Sequence, residues 1–249
     1  MIDVTLIGDT ISKISLRLSR SASNRLRSCL DELLPPFIRD SRFFMSFPMR
    51  LVFREKAELF MDFKSRAPGM APKEMAELYE QVQSVSVQRD TDINRACLDK
   101  IDRSILGKTV LDAGCGRGYL AGRLAERYTV TGVDFVLGPD LSRRHPRVDF
   151  CKGHIEMLPF KAASFDTVIC AHTLEHVVQI EPVLRELRRV ARCRLIIIVP
   201  KQRPYKYTFD LHLQFFPQPY SLLQAVGSQH QAKCVEVDGD LFLLEDCKR

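Results

Sequence analysis

The sequence predicts an α/β fold: a doubly wound sheet of seven mostly parallel strands that ends in an antiparallel C-terminal hairpin, with a helical N-terminal extension ahead of it. Three observations predict it. From Lys108 onward, apolar strand-length runs alternate with amphipathic helical runs, as they do where a parallel sheet is covered on both faces. Gly114, Gly116 and Gly118 follow the first such run directly and open a helix, where glycine lets the backbone turn sharply toward a ligand at the helix N-terminus. Asp238-Gly239 lies between the last two strand-like runs, a pairing that favours a tight hairpin turn.

The elements follow in order. Residues 1–105 read as helical, with LRSCLDELL, PMRLVFREKAELFMDF, PKEMAELYEQVQ and INRACLDKIDRSI each carrying apolar residues three and four apart. Pro35-Pro36, Pro68-Gly69 and Pro72 punctuate them as linkers and helix starts. Residues 106–249 supply the sheet: TVLDAG, VTGVDF, RVDFCK, FDTVICA and RLIIIVP as strands, with GYLAGRLAERY and EPVLRELRRVA as helices between them. A Pro-rich loop, the helix YSLLQAVG and the hairpin AKCVEVDGDLFLLED complete it.

The 249 residues are enough for a sizeable core, and 45% hydrophobic with 27% charged residues is an ordinary globular balance. The formal charge of +6 is spread along the chain, which permits an anionic ligand without demanding nucleic acid. Eight cysteines stand far apart with no C-x-x-C pair, so the thiols are expected to be reduced and the protein cytoplasmic. The best apolar run, Leu195 to Val199, is strand-sized, and no transmembrane segment is expected. Ile11 to Ser28 has the Ser and Arg content of an organelle transit peptide. Asp3 and Asp9 precede it, and it is read as an ordinary N-terminal segment.

The glycine turn is neither a dinucleotide fingerprint nor a P-loop. Tyr119 stands where G-x-G-x-x-G needs its third glycine, and no Gly-Lys-Ser/Thr follows. Asp134 closes the second strand, where a doubly wound fold presents a carboxylate to a ribose.

With VLDAGCGRGYLA, VTGVDF, GHIEMLPF, SFDTVICAHTLEHV and LRELRRVARCRLIIIVP in that order, the chain resembles the class I S-adenosylmethionine-dependent methyltransferases, in their small-molecule, type 11-like branch. The resemblance implies a Rossmann-like domain over residues 106–249 and S-adenosyl-L-methionine as cofactor. It implies that Gly114, Gly116 and Gly118 line the methionine part of the cofactor, that Asp112 helps hold its amino group, and that Asp134 binds the ribose. It further implies Phe135 beside the adenine, His154 and Ile155 in the segment meeting the adenine edge, and Cys170 with Ala171 facing the sulfonium. The family commonly has an acid where His154 stands, so that contact falls to a ring nitrogen or to main chain.

His172, Glu175 and His176 show the spacing H-x-x-E-H of some zinc peptidases. Such a site needs a third ligand, a water position and further supporting bonds, and these residues begin at a strand exit, so no metal ligands are assigned. His172, His212 and Tyr205 are the candidate catalytic residues, with Tyr207 beside them, because a hydroxyl acceptor needs a base. Glu175 and His176 are expected to cap and pack the following helix.

The acceptor is expected to be a small molecule, with methyl transfer at oxygen. Lys201, Arg203 and Lys206 interleaved with Tyr205 and Tyr207 suit an anionic, sugar-like or lipid-linked acceptor, or else form a solvated loop. The strand exit Cys-Ala-His-Thr lacks the Asn/Asp-Pro-Pro-aromatic form of nitrogen methylases, which argues against nucleic acid, and Arg185, Arg188, Arg189, Arg192 and Arg194 read as a solvated face. The phenylalanines between Phe37 and Phe63 fit core packing, an active-site lid, a lipid-facing surface or a homodimer interface. Two other functions remain open on the sequence: a cofactor-binding protein without turnover, and an RNA methyltransferase.

Overall fold

The computed structural model describes residues 34–83, 90–227 and 232–247. The segment Ile11 to Ser28 and all but the last residue of LRSCLDELL lie outside the described residues.

Seven strands form one sheet: β1 (Thr109–Ala113), β2 (Thr129–Asp134), β3 (Val148–Lys152), β4 (Phe165–Ala171), β5 (Ala191–Pro200), β6 (Ala232–Val237) and β7 (Asp240–Asp246). Their order is β3-β2-β1-β4-β5-β7-β6. The first five run parallel, and β7 pairs antiparallel with both β5 and β6. The hairpin turn is the expected Asp238-Gly239, with φ of 47° and 81°.

Alternation along the strands builds two cores. Val110, Ile169, Ile196 and Ile198 face α5 (Arg95–Ser104) and α6 (Tyr119–Leu124), where they meet Cys97, Leu98, Ile101, Leu120 and Leu124. Leu111, Val168, Leu195 and Ile197 face α8 (Ile180–Val190) and α9 (Pro219–Val226), against Val183, Leu184, Leu187 and Leu222. A four-residue helix, α7 (Leu141–Arg144), precedes β3. By its packing α5 belongs to the sheet, on the far side of the division expected after residue 105.

The remaining helices make a third core. They are α1 (Pro36–Arg39), α2 (Arg42–Phe53), α3 (Ala57–Arg66) and α4 (Pro72–Gln83). PMRLVFREKAELFMDF, expected as one helix, is broken at Arg54, whose φ is 51°, and α3 folds back on α2. Phe53 and Phe60 stack across the break at 3.7 Å, and Arg42 reaches both Glu58 and Asp62 at 2.6 Å. Apolar periodicity continues through such a reversal, so the sequence pattern alone conceals it. Met45, Met49 and Phe53, four residues apart, are buried, each contributing about 1.5–3 kcal/mol. They pack with Tyr207 and Leu211 of the loop after β5, so these helices lie over the carboxyl edge of the sheet.

The arginines expected on a solvated face are mostly structural clamps. Arg188 binds Glu245 at 2.7 and 2.9 Å and the Val226 carbonyl at 2.7 Å, joining α8, α9 and β7. Arg194 joins Asp246 to the Ser104 carbonyl, Arg192 reaches Asp166, and Arg189 bonds Glu186 and the carbonyls of Leu158 and Phe160. Arg185, exposed, pairs with Glu181.

Candidate active site

The glycine turn after β1 is pinned to β2: the amides of Gly114 and Cys115 both donate to the Val133 carbonyl, at 2.8 and 3.0 Å. Gly114, Gly116 and Gly118 have φ of 80°, 50° and 74°, values other residues rarely adopt. A Cβ on Gly114 would lie 2.2 Å from Thr173 Oγ1, so this glycine admits the chain leaving β4. At Gly116 the same position meets nothing within 4 Å, and that side of the turn is open for a ligand.

Asp134 accepts hydrogen bonds from Gly116 N at 2.8 Å on one oxygen and from Val136 N at 3.0 Å on the other. Each oxygen keeps a lone pair for a hydroxyl. Burial pushes this carboxyl up from its ordinary range, and the amides of Val136 and Gly116 hold it back. Asp112 is buried beneath the turn, where its Oδ2 accepts from Ala121 N at 3.1 Å. Burial pushes it up to about 7.

Phe135 and His154 lie nearly parallel, ring centroids 5.9 Å apart, with His154 exposed and Ile155 packed against the core. Cys170 and Ala171, as successive residues of β4, face opposite sheet faces: Cys170 joins the α8 core and Ala171 the α5 core. They therefore cannot present both side chains to one atom, and only their main chain at the strand exit is shared.

The stretch after β4 is a short 3-10 turn, Leu174–His176, which does not carry His172 and His176 on one helical face. His172, at φ 50°, lies between two carboxylates, its Nδ1 3.4 Å from Glu175 Oε1 and its Nε2 3.4 Å from Asp240 Oδ2. Burial alone would lower its pKa, but the carboxylates of Asp240 and Glu175 beside it prevail and push it up to about 10. An imidazolium held this way is a poor base, contrary to the expected role of His172.

His212 comes from the loop after β5. Its Nδ1 is 2.6 Å from Gln202 Oε1, its Nε2 4.0 Å from Glu175 Oε1, and its ring meets that of His176 edge-on at 4.8 Å. Tyr205 is drawn instead toward the helices. Arg39 lies over its ring at 4.5 Å, its carbonyl accepts from Lys64, and Tyr207 is buried in the same layer.

Sequence reasoning does not single out Thr173, Gln202, Asp240 or Tyr79 as site residues. Tyr79, on α4, meets Phe135 edge-on at 5.3 Å and His176 at 5.9 Å. Its hydroxyl is buried and has no hydrogen-bond partner among the described residues. Nothing short of the fold places Tyr79 here.

This strand order, with a glycine turn and an acid at the carboxyl ends of β1 and β2, is a Rossmann-like α/β fold of the kind found in class I methyltransferases. Over part of its length the chain is similar to the class I S-adenosylmethionine-dependent methyltransferases of the type 11-like branch. A family model described as "Methyltransferase domain" matches residues 111–198. The ubiquinone biosynthesis O-methyltransferase of Hahella chejuensis is 39% identical over 111 residues, covering 41% of this chain and 47% of that protein. Its counterpart from Dechloromonas aromatica is 33% identical over 130 residues, covering 47% and 56%. The chain thus spans about half the length of the curated relatives it matches.

Among solved structures, the Burkholderia thailandensis 1,6-didemethyltoxoflavin-N1-methyltransferase, with 1,6-didemethyltoxoflavin and S-adenosylhomocysteine bound, shares the fold. Its TM-score is 0.57 at 22% identity, covering 71% of this chain and 90% of that one. Among the described residues no helix is long and apolar enough to cross a membrane.

Proposed function

We propose that this protein transfers a methyl group from S-adenosyl-L-methionine to a hydroxyl of a small-molecule acceptor. The observation that carries the reading is the arrangement of the carboxyl edge. An open glycine turn is hydrogen-bonded to Asp134 on one side, and a cluster of buried Glu175, half-buried His176 and buried His212 stands at the exits of β4 and β5 on the other. The cofactor supplies an activated methyl on a sulfonium, so the protein has chiefly to align the acceptor, which accounts for about 7–11 kcal/mol of barrier lowering in well-oriented systems. Asp134 would bind the ribose, Gly114, Gly116 and Gly118 would follow the methionine, and Asp112 would lie behind its amino group. Phe135 and His154 would flank the adenine, with Ile155 along its edge.

The acceptor oxygen would dock at the Glu175, His176 and His212 cluster, with His172 positioning Glu175. The relatives named as O-methyltransferases favour oxygen as the accepting atom. Helices α1 to α4 would act as a lid, because Tyr79 touches both Phe135 and His176. Phe37, Phe43, Phe47 and Leu51 are exposed on this lid, which suits an acceptor delivered from a lipid phase. All seven described cysteines are free thiols, in keeping with a cytoplasmic protein.

The test supplies the protein with cofactor carrying a labelled methyl and a fractionated cell extract. Label in the small-molecule or lipid fraction is expected. Nuclease-sensitive label would indicate an RNA methyltransferase, and cofactor binding without transfer to any fraction would leave a binding protein without turnover.

A further inference from the structure

We propose that Glu175, His176 and His212 form a binding site for a divalent transition-metal ion. One ligand atom from each lies within 4.8 Å of the others, the span that a single ion of roughly 2.0–2.2 Å bond length can close with a small movement of the side chains. Two imidazoles and a carboxylate on three different positions of the fold are the donor set of borderline divalent ions such as Zn2+, Mn2+, Co2+ and Fe2+.

Two further features point to an ion. The first is the state of Glu175. Its side chain is 1% exposed, and neither carboxylate oxygen has a hydrogen bond among the described residues; the nearest cation, His172, stands off at 3.4 Å. A buried carboxylate without hydrogen bonds is costly unless something positive completes it. The second is the state of the two histidines. Nδ1 of His176 donates to the Leu211 carbonyl at 3.0 Å, and Nδ1 of His212 donates to Gln202 Oε1 at 2.6 Å. Each bond fixes the tautomer that places the lone pair on Nε2, and a ligating histidine ordinarily has its other nitrogen held in this way.

The chain of supports continues outward: His172 bridges Glu175 to Asp240, and Asp240 accepts from Asn94 Nδ2 at 2.8 Å. This site differs from the one H-x-x-E-H suggests. His172 is a support, and the third ligand is His212, 36 residues beyond His176 on the loop after β5.

Three protein ligands leave coordination positions open, and an acceptor hydroxyl entering one would lose its proton more readily and be fixed at the exit of β4. That use of the ion rests on the function proposed above, whereas the binding does not.

The experiment titrates full-length, chelator-treated protein with Co2+, Mn2+ and Zn2+, followed by calorimetry and by the visible absorption of Co2+. One ion per chain is expected. His176→Ala and His212→Ala should each weaken binding roughly 100-fold or more, and His172→Gln about 10-fold. Cofactor affinity, measured separately, should stay within about threefold in the same variants, which shows that they are folded. Pulsed electron paramagnetic resonance of the Mn2+-loaded wild type should show couplings from imidazole nitrogen, a readout that needs no variant. Absence of stoichiometric binding by wild type, binding indifferent to both histidine changes, or a Mn2+ spectrum without nitrogen couplings would each overturn the site. Wild type that binds cofactor but no ion sinks the metal alone; wild type that binds ion but no cofactor sinks the methyltransferase reading alone.

Discussion

At the amino ends of β1 and β4, one carboxylate is fully used. Asp166 accepts from Lys108 N at 2.9 Å, Thr109 N at 3.1 Å and Thr109 Oγ1 at 3.0 Å, and Arg192 closes it at 2.6 Å. Beside it Thr167 exchanges bonds with both the amide and the carbonyl of Leu106. At the carboxyl ends of the same strands the pattern reverses. Among the described residues the buried Glu175 carboxylate has no hydrogen bond, the Tyr79 hydroxyl likewise, Asp112 is buried with a single bond from Ala121 N, and His172 takes a left-handed backbone. Polar groups that the chain itself satisfies hold strands together; polar groups it leaves incomplete are available to something else. The difference sets a self-satisfied end of the sheet against one whose polar groups are left incomplete, and it is the second that the proposed function uses.

Substitutions at the two ends should therefore separate binding from stability. Asp134→Ala is expected to weaken cofactor affinity roughly 100-fold or more by calorimetry, since it removes both acceptors proposed for the ribose hydroxyls; the Gly116 and Val136 amides also lose their acceptor, at a cost to the free protein of about 1–2 kcal/mol that relief of the buried carboxylate partly offsets. Unchanged affinity would refute the ribose assignment. Next in size, Asp166→Ala should lower unfolding free energy by about 2–3 kcal/mol in denaturant titrations, because two amides and a hydroxyl lose their acceptor together. Cofactor affinity should hold. A variant at Asp166 that loses affinity but keeps its stability would erase the distinction between the ends.

The two ends also differ in how far the sequence reveals them. The strands and the hairpin are legible because period-two runs, Gly114 to Gly118 and Asp238-Gly239 are local signals. Asp134 is legible for the same reason: it ends its own strand. His212 stands out as a catalytic candidate, but its approach to Glu175 depends on where a loop of some dozen residues after Pro200 closes. Gln202, which orients it, carries no signal of its own. The break at Arg54 is hidden because the apolar spacing of α2 continues into α3. The expectation that Cys170 and Ala171 face one atom fails because successive strand residues point to opposite faces.

Acidity should distinguish the two ends more finely. Asp166 is held down to about 2, first by the amides of Lys108 and Thr109. A lowered carboxyl pKa stabilises the fold above the unfolded value near 3.8 and loses that contribution as pH falls toward 2. Asp112 does the opposite. Burial raises it to about 7, so between about 3.8 and 7 the folded state keeps a proton that the unfolded state has released. Stability therefore falls as pH rises through that window, by at most about 1.4 kcal/mol per unit. Asp112→Asn should reduce this slope in chemical denaturation of the cofactor-free protein at pH 4.5 to 7, leaving the contribution of Asp134, whose carboxyl burial also raises, and an unchanged slope would assign it to other groups. If Asp112 pairs with the cofactor's ammonium, affinity should also weaken as pH falls below about 7, because the partner must be ionised.

The smallest expected effect is at Tyr79, where the two kinds of cost can be read from one atom. The hydroxyl is buried above Phe135 and His176 without a partner among the described residues, so deleting it removes an unmet desolvation cost. Tyr79→Phe should leave the free protein as stable as wild type or up to about 1 kcal/mol more so. If α4 closes over bound ligand as a lid, the same change should cost about three- to tenfold in affinity for cofactor or acceptor, since the hydroxyl finds its partner only there. A gain in stability with no loss of affinity would make Tyr79 a packing residue and separate α4 from the chemistry. A loss of stability would mean that the hydroxyl already has a partner in the free protein, and the contrast between the two ends would then rest on Glu175 and Asp112 alone.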